Sequence, residues 1–123
     1  MIYPKILTLT ALAVSFVVSS YAADISGKWI SEFESQVGKQ KYTYDLKMSG
    51  DKITGQAISD QRGPVEIKEG KITGDEVSFV ENATIQGNEI RIEYKGKVTA
   101  DEMKLTRKVG DFATYEIVAK RAK

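Results

Sequence analysis

Alternation of hydrophobic and polar positions is the dominant pattern along this chain, and it predicts β-strands over most of its length. The clearest case spans residues 89 to 98, where every second side chain is apolar or glycine and the residues between are charged. One face carries Ile90, Ile92, Tyr94, Gly96 and Val98. The other face carries Glu89, Arg91, Glu93, Lys95 and Lys97. A period of two is typical of a strand with one buried and one solvated face.

Turn signals separate the predicted strands at regular intervals. A small residue, then Asp or Asn, a charged residue and an aliphatic residue occur at 50–53, 74–77, 87–90 and 100–103. Gly, Asn and Asp tolerate the positive φ of tight hairpin turns, so these positions are predicted to be hairpin tips. The turn belongs to a longer unit, because residues 70–79 return in similar form at 96–105.

Eight strands follow from these signals, and no helical pattern of useful length interrupts them. Their predicted spans are 27–36, 40–48, 52–59, 65–73, 76–85, 89–98, 102–109 and 112–121. The hydrophobic phase slips by one residue near Gly70, which predicts a β-bulge there. A meander of eight twisted strands exposes two edges unless it closes. The expected fold is therefore all-β, an eight-stranded antiparallel up-and-down meander closing into a small barrel; the alternative is an open or flattened two-sheet sandwich.

Residues 1–22 have the pattern of a secretory signal peptide. Lys5 precedes an apolar run over 6–18, and Ser20-Tyr21-Ala22 places small residues where a signal peptidase reads, so cleavage is expected before Ala23. The alternative, a membrane anchor, conflicts with an apolar run shorter than the roughly 20 residues that a spanning helix needs. We expect a secreted or periplasmic protein with a single β-barrel domain over 23–123 and no stable membrane anchor after cleavage.

Composition excludes several classes of function. The chain has 18 basic and 17 acidic side chains, and removal of Lys5 leaves 17 of each, so no basic surplus favours nucleic-acid binding. His and Cys are absent, which excludes Ser-His and Cys-His nucleophiles and the usual ligands of zinc, copper and haem. We expect no catalysis, no cofactor and no metal. The alternative is a carboxylate-based hydrolase, with pairs such as Glu32 and Glu34 or Asp75 and Glu76, although these acids are predicted to be solvated.

Aromatic residues are predicted to share the buried face of the strands. Several tyrosines around a cavity, beside the small Gly55 and Ala57, would suit a ring-shaped or sugar-like ligand; the alternative is that the rings simply form the core. The aromatic residues on this face are Trp29, Phe33, Tyr42, Tyr44, Phe79, Tyr94 and Tyr115.

Arg107 shares the predicted inward phase of Met103 and Leu105. An inward arginine near a barrel mouth could hold a carboxylate or phosphate. The alternatives are pairing with an acid at the rim or extension of the guanidinium into water. The candidate ligand-binding residues are Trp29, Tyr42, Tyr44, Tyr94, Arg107 and Tyr115.

Gly27-Lys28-Trp29, at the head of the first strand, resembles the Gly-x-Trp opening of the calycins, which include lipocalins, fatty-acid-binding proteins and avidins. Length and meander look most like the avidin shape. In lipocalins the Trp packs under an arginine from a late strand, and Arg107 or Arg121 would be its counterpart here. The chain also resembles small secreted bacterial β-domains that stand alone or accompany sugar-active enzymes.

Two functions are therefore expected. The first is a secreted non-catalytic binding module, a lipocalin- or avidin-like barrel for a small, partly apolar or glycan-type ligand, with a cavity lined by Trp29, Tyr42, Tyr44 and Tyr94. The second is an extracytoplasmic interaction protein, such as an inhibitor or envelope accessory, with a filled core and a protein partner bound by loops 60–64 and 109–112.

Overall fold

A computed structural model describes residues 24–36 and 38–122, which form eight strands joined by short turns. The strands are β1 (Gly27–Ser35), β2 (Gly38–Ser49), β3 (Lys52–Ser59), β4 (Gly63–Thr73), β5 (Glu76–Ile85), β6 (Asn88–Thr99), β7 (Glu102–Val109) and β8 (Ala113–Arg121). Within these ranges there is no helix long and apolar enough to cross a membrane. The predicted signal peptide and Val37 of the first predicted turn lie outside the described residues.

The strands follow one another around a closed antiparallel barrel in chain order, which confirms the predicted fold. Closure joins β1 to β8 through two register pairs, Trp29 with Arg121 and Ile30 with Lys120. The predicted strand ends differ from the observed ends by no more than two residues. At the start of β8, for example, Phe112 belongs to the preceding turn and is 70% exposed.

Inward side chains from all eight strands fill the middle of the barrel. Trp29, Tyr42 and Tyr44 are fully buried, and Phe79 and Tyr94 are only 1% exposed. The rings pack in contact, because the ring centroids of Tyr42 and Tyr44 lie 5.6 Å apart and those of Phe79 and Tyr94 lie 4.6 Å apart. The shared inward direction predicted for the aromatic residues is confirmed, and Phe33 and Tyr115 pack against the same core with partial exposure.

Gly96 allows β6 and β7 to approach closely. A Cβ at this position would lie 1.9 Å from the Lys104 carbonyl oxygen, so any side chain would force the two strands apart. Glycine in a strand often marks such a close backbone approach.

The bulge predicted near Gly70 is present in β4. Its register with β5 shifts between Lys68 and Lys71, and Glu69 has a positive φ of 55°. The Glu69 carboxylate accepts two hydrogen bonds from the Arg91 guanidinium of β6, at 2.8 and 3.0 Å. By donating these hydrogen bonds, Arg91 holds the pKa of the Glu69 carboxyl below its usual value.

One end of the barrel is closed around Trp29. The indole nitrogen donates to the Ile25 carbonyl at 3.0 Å, and Ile25 is itself fully buried. Of the two arginines considered as partners, Arg121 covers the indole, with its guanidinium carbon 4.4 Å from the ring centroid. Arg121 also donates to the carbonyls of Asp24 and Ser26, at 3.0 and 3.1 Å, which ties the segment before β1 across this end.

Candidate functional site

The opposite end of the barrel, which we call the mouth, is surrounded by the β1–β2, β3–β4, β5–β6 and β7–β8 turns. It contains a cavity of about 330 Å³. One wall is apolar and is formed by Ile85, Ile90, Val109, Phe112 and Ala113. The rest of the lining is polar and consists of Ser35, Gln36, Gln40, Arg62, Gln86, Asn88, Arg107 and Tyr115. The described lining therefore has two arginines and no acidic residue.

Arg107 of β7 lies at the base of this cavity and is only 2% exposed. Its Nε donates to the Tyr94 hydroxyl at 3.0 Å, and its Nη2 donates to the Tyr42 hydroxyl at 3.1 Å. Its guanidinium also lies over the rings of Phe33 and Tyr42, 4.9 and 5.0 Å from their centroids. The inward direction predicted for Arg107 is confirmed, whereas rim pairing and extension into water are not observed.

Glu81 of β5 completes the buried network below Arg107. Its carboxylate accepts hydrogen bonds from the hydroxyls of Tyr42 at 2.9 Å and Tyr94 at 2.7 Å. Each tyrosine therefore accepts from the arginine and donates to the glutamate, and the four side chains form a closed ring of hydrogen bonds. Burial raises the pKa of both Tyr42 and Tyr94, so their hydroxyls keep the protons that they donate.

Arg62 reaches the same network from the β3–β4 turn. Its Nη2 donates to the Tyr42 hydroxyl at 2.6 Å. The Ser59 side chain fixes this turn, because its Oγ accepts from the backbone nitrogens of Gln61 and Arg62 at 3.1 and 3.2 Å. Hydroxyl groups that bond to the backbone in this way are typical of tight turns.

The charges at the base of the cavity do not balance. Arginine stays protonated in proteins, so Arg62 and Arg107 contribute two positive charges against the one carboxylate of Glu81. Gln40 Oε1 and Arg62 Nε are also buried and have no hydrogen-bond partner among the described residues. Buried polar groups nearly always have partners, so Arg62 Nε retains capacity for an acceptor and Gln40 Oε1 for a donor, and the excess positive charge favours an anion.

The predicted site residues divide into two groups. Arg107 and Tyr115 line the cavity, whereas Trp29, Tyr42, Tyr44 and Tyr94 do not. Tyr42 and Tyr94 lie beneath it and hold Arg107, while Tyr44 lies deeper in the core and Trp29 closes the other end. The cavity does not extend to these four residues, because the rings of Tyr42, Tyr44 and Tyr94 pack against one another in the middle of the barrel, and Trp29 packs under Arg121.

Sequence reasoning did not include Glu81, Arg62 or Gln40 among the ligand-binding candidates, although loop 60–64, which contains Arg62, was predicted to bind a protein partner. Glu81 had a usable signal, because it shares the period-two phase of Val77 and Phe79 on the buried face of β5. Arg62 had none, since it lies in a turn, where alternation does not predict the direction of a side chain.

Acid pairs suited to hydrolysis are not assembled at this site. Glu32, Glu34, Asp75 and Glu76 are all exposed on the outer wall or in turns, as predicted. Glu81 is the one buried acid among the described residues, and it is bonded to two tyrosines. The described residues contain no cluster of three or more acids that could hold a metal ion.

Comparison with known proteins found no matching protein family, no matching curated protein and no matching solved structure.

Proposed function

We propose that this protein is a secreted, non-catalytic binding barrel of calycin type that holds a small, partly apolar molecule with an acidic group at its mouth. The observation that carries the proposal is that Arg62 and Arg107 both line a cavity with an apolar wall. The acidic group would bind to the guanidinium groups, and the apolar part would lie against Ile85, Ile90 and Val109.

Size and polarity support a ligand of this class. Small-molecule pockets have volumes of roughly 300 to 1,000 Å³ and combine apolar walls with few polar groups. A cavity of about 330 Å³ is at the small end of that range. Guanidinium groups bind carboxylates in a two-point geometry, and such charge-assisted hydrogen bonds are about twice as strong as neutral ones.

The calycin assignment and the secreted location rest on other features. Arg121 packs on Trp29 of the Gly27-Lys28-Trp29 motif, the arrangement that the resemblance to lipocalins implies. The apolar run over 6–18 followed by Ser20-Tyr21-Ala22 supports export and cleavage before Ala23.

A matched pair of small molecules tests the requirement for an acidic group. We expect phenylacetate to shift the side-chain N–H signals of Arg62 and Arg107 in an NMR titration, and phenylacetamide, its neutral analogue, to shift them little. Arg62→Gln should weaken phenylacetate binding at least fivefold, whereas Arg91→Gln on the outer wall should leave it unchanged. Equal shifts from both compounds, or shifts from neither, would contradict the role of the arginines.

Exposure of Phe112 favours a second function, an extracytoplasmic interaction protein that acts as an inhibitor or envelope accessory. This side chain is 70% exposed in the β7–β8 turn at the rim of the mouth, and exposed aromatic residues are enriched at protein interfaces. Phe112→Ser should then abolish recovery of a protein partner in a pulldown, whereas Val118→Ser, at a partly exposed position on the outer wall of β8, should not. Recovery of the same partner by both variants would contradict this function.

A further inference from the structure

Two pairs of lysines face each other directly across the outer wall of the barrel. Lys52 of β3 is the register partner of Lys71 of β4, and Lys97 of β6 is the register partner of Lys104 of β7. Like charges directly opposite each other destabilise a sheet. The fold therefore tolerates two unfavourable contacts in this part of its surface.

Elsewhere the register places lysines opposite acids. Five such pairs are Lys28 with Asp45, Lys39 with Glu34, Lys41 with Glu32, Lys108 with Glu93, and Lys120 with Glu102. The register thus places an acid opposite many lysines of the wall, and the Lys–Lys pairs depart from this pattern.

Lys95 of β6 connects the two pairs into one feature. Ser78 of β5 is the register partner of both Lys71 and Lys95, so the short serine side chain lies between two lysines. A groove of about 290 Å³ lies there, and its lining includes Lys71, Ser78, Lys95 and Lys97. We call Lys52, Lys71, Lys95, Lys97 and Lys104 the lysine stripe.

The lysine stripe keeps a net positive charge. All five side chains are exposed, and none forms an ion pair among the described residues. Glu76 is the one acid in the lining of the groove, opposite Lys97. The stripe therefore attracts anions, and the attraction falls as salt screens it.

We propose that the lysine stripe binds an anionic polysaccharide, a chain of sugars that carry carboxylate groups, at a site separate from the mouth cavity. The stripe crosses from β3 to β7, and neighbouring strands lie about 4.8 Å apart. An extended flexible chain can follow this curved wall, whereas a flat membrane surface would touch only part of it. The stripe contains no arginine and no aromatic residue, the side chains on which nucleic-acid binding commonly depends.

Affinity electrophoresis of the full chain in gels containing polygalacturonate tests this site. At 50 mM NaCl the wild type should be retarded by polygalacturonate and not by neutral dextran. The double substitution Lys71→Gln with Lys95→Gln should weaken the retardation at least tenfold. The control Lys28→Gln with Lys41→Gln removes the same charge from positions that face acids, and it should change the retardation less than twofold.

Other outcomes would overturn the proposal. Absence of retardation at 50 mM NaCl, or equal loss in the two double variants, would show that the stripe is not a site. Tighter binding to single-stranded DNA, or to vesicles of phosphatidylglycerol, than to polygalacturonate would assign it to another partner. Misfolding is not expected to obscure the result, because Lys71→Gln relieves the like-charge contact with Lys52, and the double variant should melt at the wild-type temperature or above it.

Discussion

Tyr42 and Tyr94 allow a positive charge to lie inside this small barrel. Their hydroxyls connect the Arg107 guanidinium to the Glu81 carboxylate, so neither charge is buried without partners. Removal of one hydrogen-bond partner leaves a buried charge without a partner in an apolar environment. The free-energy cost of this loss is larger than the stabilisation that the intact network provides.

Tyr94→Phe should therefore destabilise the fold by about 2 kcal/mol, because both Glu81 and Arg107 lose a hydrogen bond. Tyr44→Phe is the matched control, since the Tyr44 hydroxyl makes no hydrogen bond of good geometry with the described residues. Urea denaturation monitored by circular dichroism measures the free energy of unfolding of both variants. Equal losses in the two variants would contradict the role given to the Tyr94 hydroxyl.

Sequence reasoning predicted the direction of Arg107 because Met103 and Leu105 established the phase of β7. It did not predict what Arg107 contacts, because the partners come from β1, β2 and β6, whose relative positions depend on barrel closure. The same reason explains why four of the six candidate residues lie outside the cavity lining, since alternation identifies an inward face and does not show whether the rings on it leave a space.

Single contacts also hold the elements in place, as the bulge of β4 shows. Glu69 anchors the bulge to β6 through Arg91. The pKa of Glu69 is lowered in the folded state, so the contact stabilises the fold above the ordinary pKa of a glutamate. This stabilisation is lost as the pH falls through the lower, folded-state pKa.

Glu69→Gln should therefore lower the melting temperature at pH 7. The difference in melting temperature between this variant and the wild type should shrink as the pH falls toward 2. Glu89→Gln, at an exposed position in β6, should differ little from the wild type in melting temperature over the same pH range. Thermal melts at a series of pH values provide the measurement. A constant difference over that range would contradict the ion-pair explanation.

Close packing of β6 against β7 leads to a second prediction at this scale. Gly96→Ala should destabilise the fold by about 2 kcal/mol, because its Cβ would overlap the Lys104 carbonyl. Gly74→Asn is the control, because Gly74 has a φ of 61° that Asn tolerates and open space where a Cβ would be. If both variants melted with the wild type, the close approach of the two strands would be disproved.

The eight strands themselves were predictable because each hairpin has its own local signal. Gly, Asn and Asp mark the turns, and alternation marks the strands between them. Boundaries shifted by one or two residues where a turn tightened. The first turn is an example, because β2 begins at Gly38, two residues before its predicted start.

At the scale of the whole molecule, closure of the barrel is uneven. β1 and β8 share two register pairs, whereas β5 and β6 share ten. Toward the mouth, Gln36, the residue after β1, is connected to β8 by a hydrogen bond of 3.3 Å from its backbone nitrogen to the Tyr115 hydroxyl. The seam between the first and last strands is therefore the weakest part of the wall.

Hydrogen exchange should reveal this difference. Amides in the mouth-side halves of β1 and β8 are expected to exchange at least tenfold faster than those in the centres of β5 and β6, since fewer ladder hydrogen bonds protect them. Equal protection of all four strands would contradict a weak seam.

Ligand binding at the mouth is the central claim, and native mass spectrometry of the protein purified gently from its own source tests it most directly. Two variants place the same bulky side chain on opposite faces of β8: Ala113→Phe fills the cavity, and Thr114→Phe points outward. We predict an added mass of small-molecule size on the wild type and on Thr114→Phe, and bare protein for Ala113→Phe. Bare wild-type protein in repeated preparations, or an added mass that Ala113→Phe retains, would contradict a binding site at the mouth.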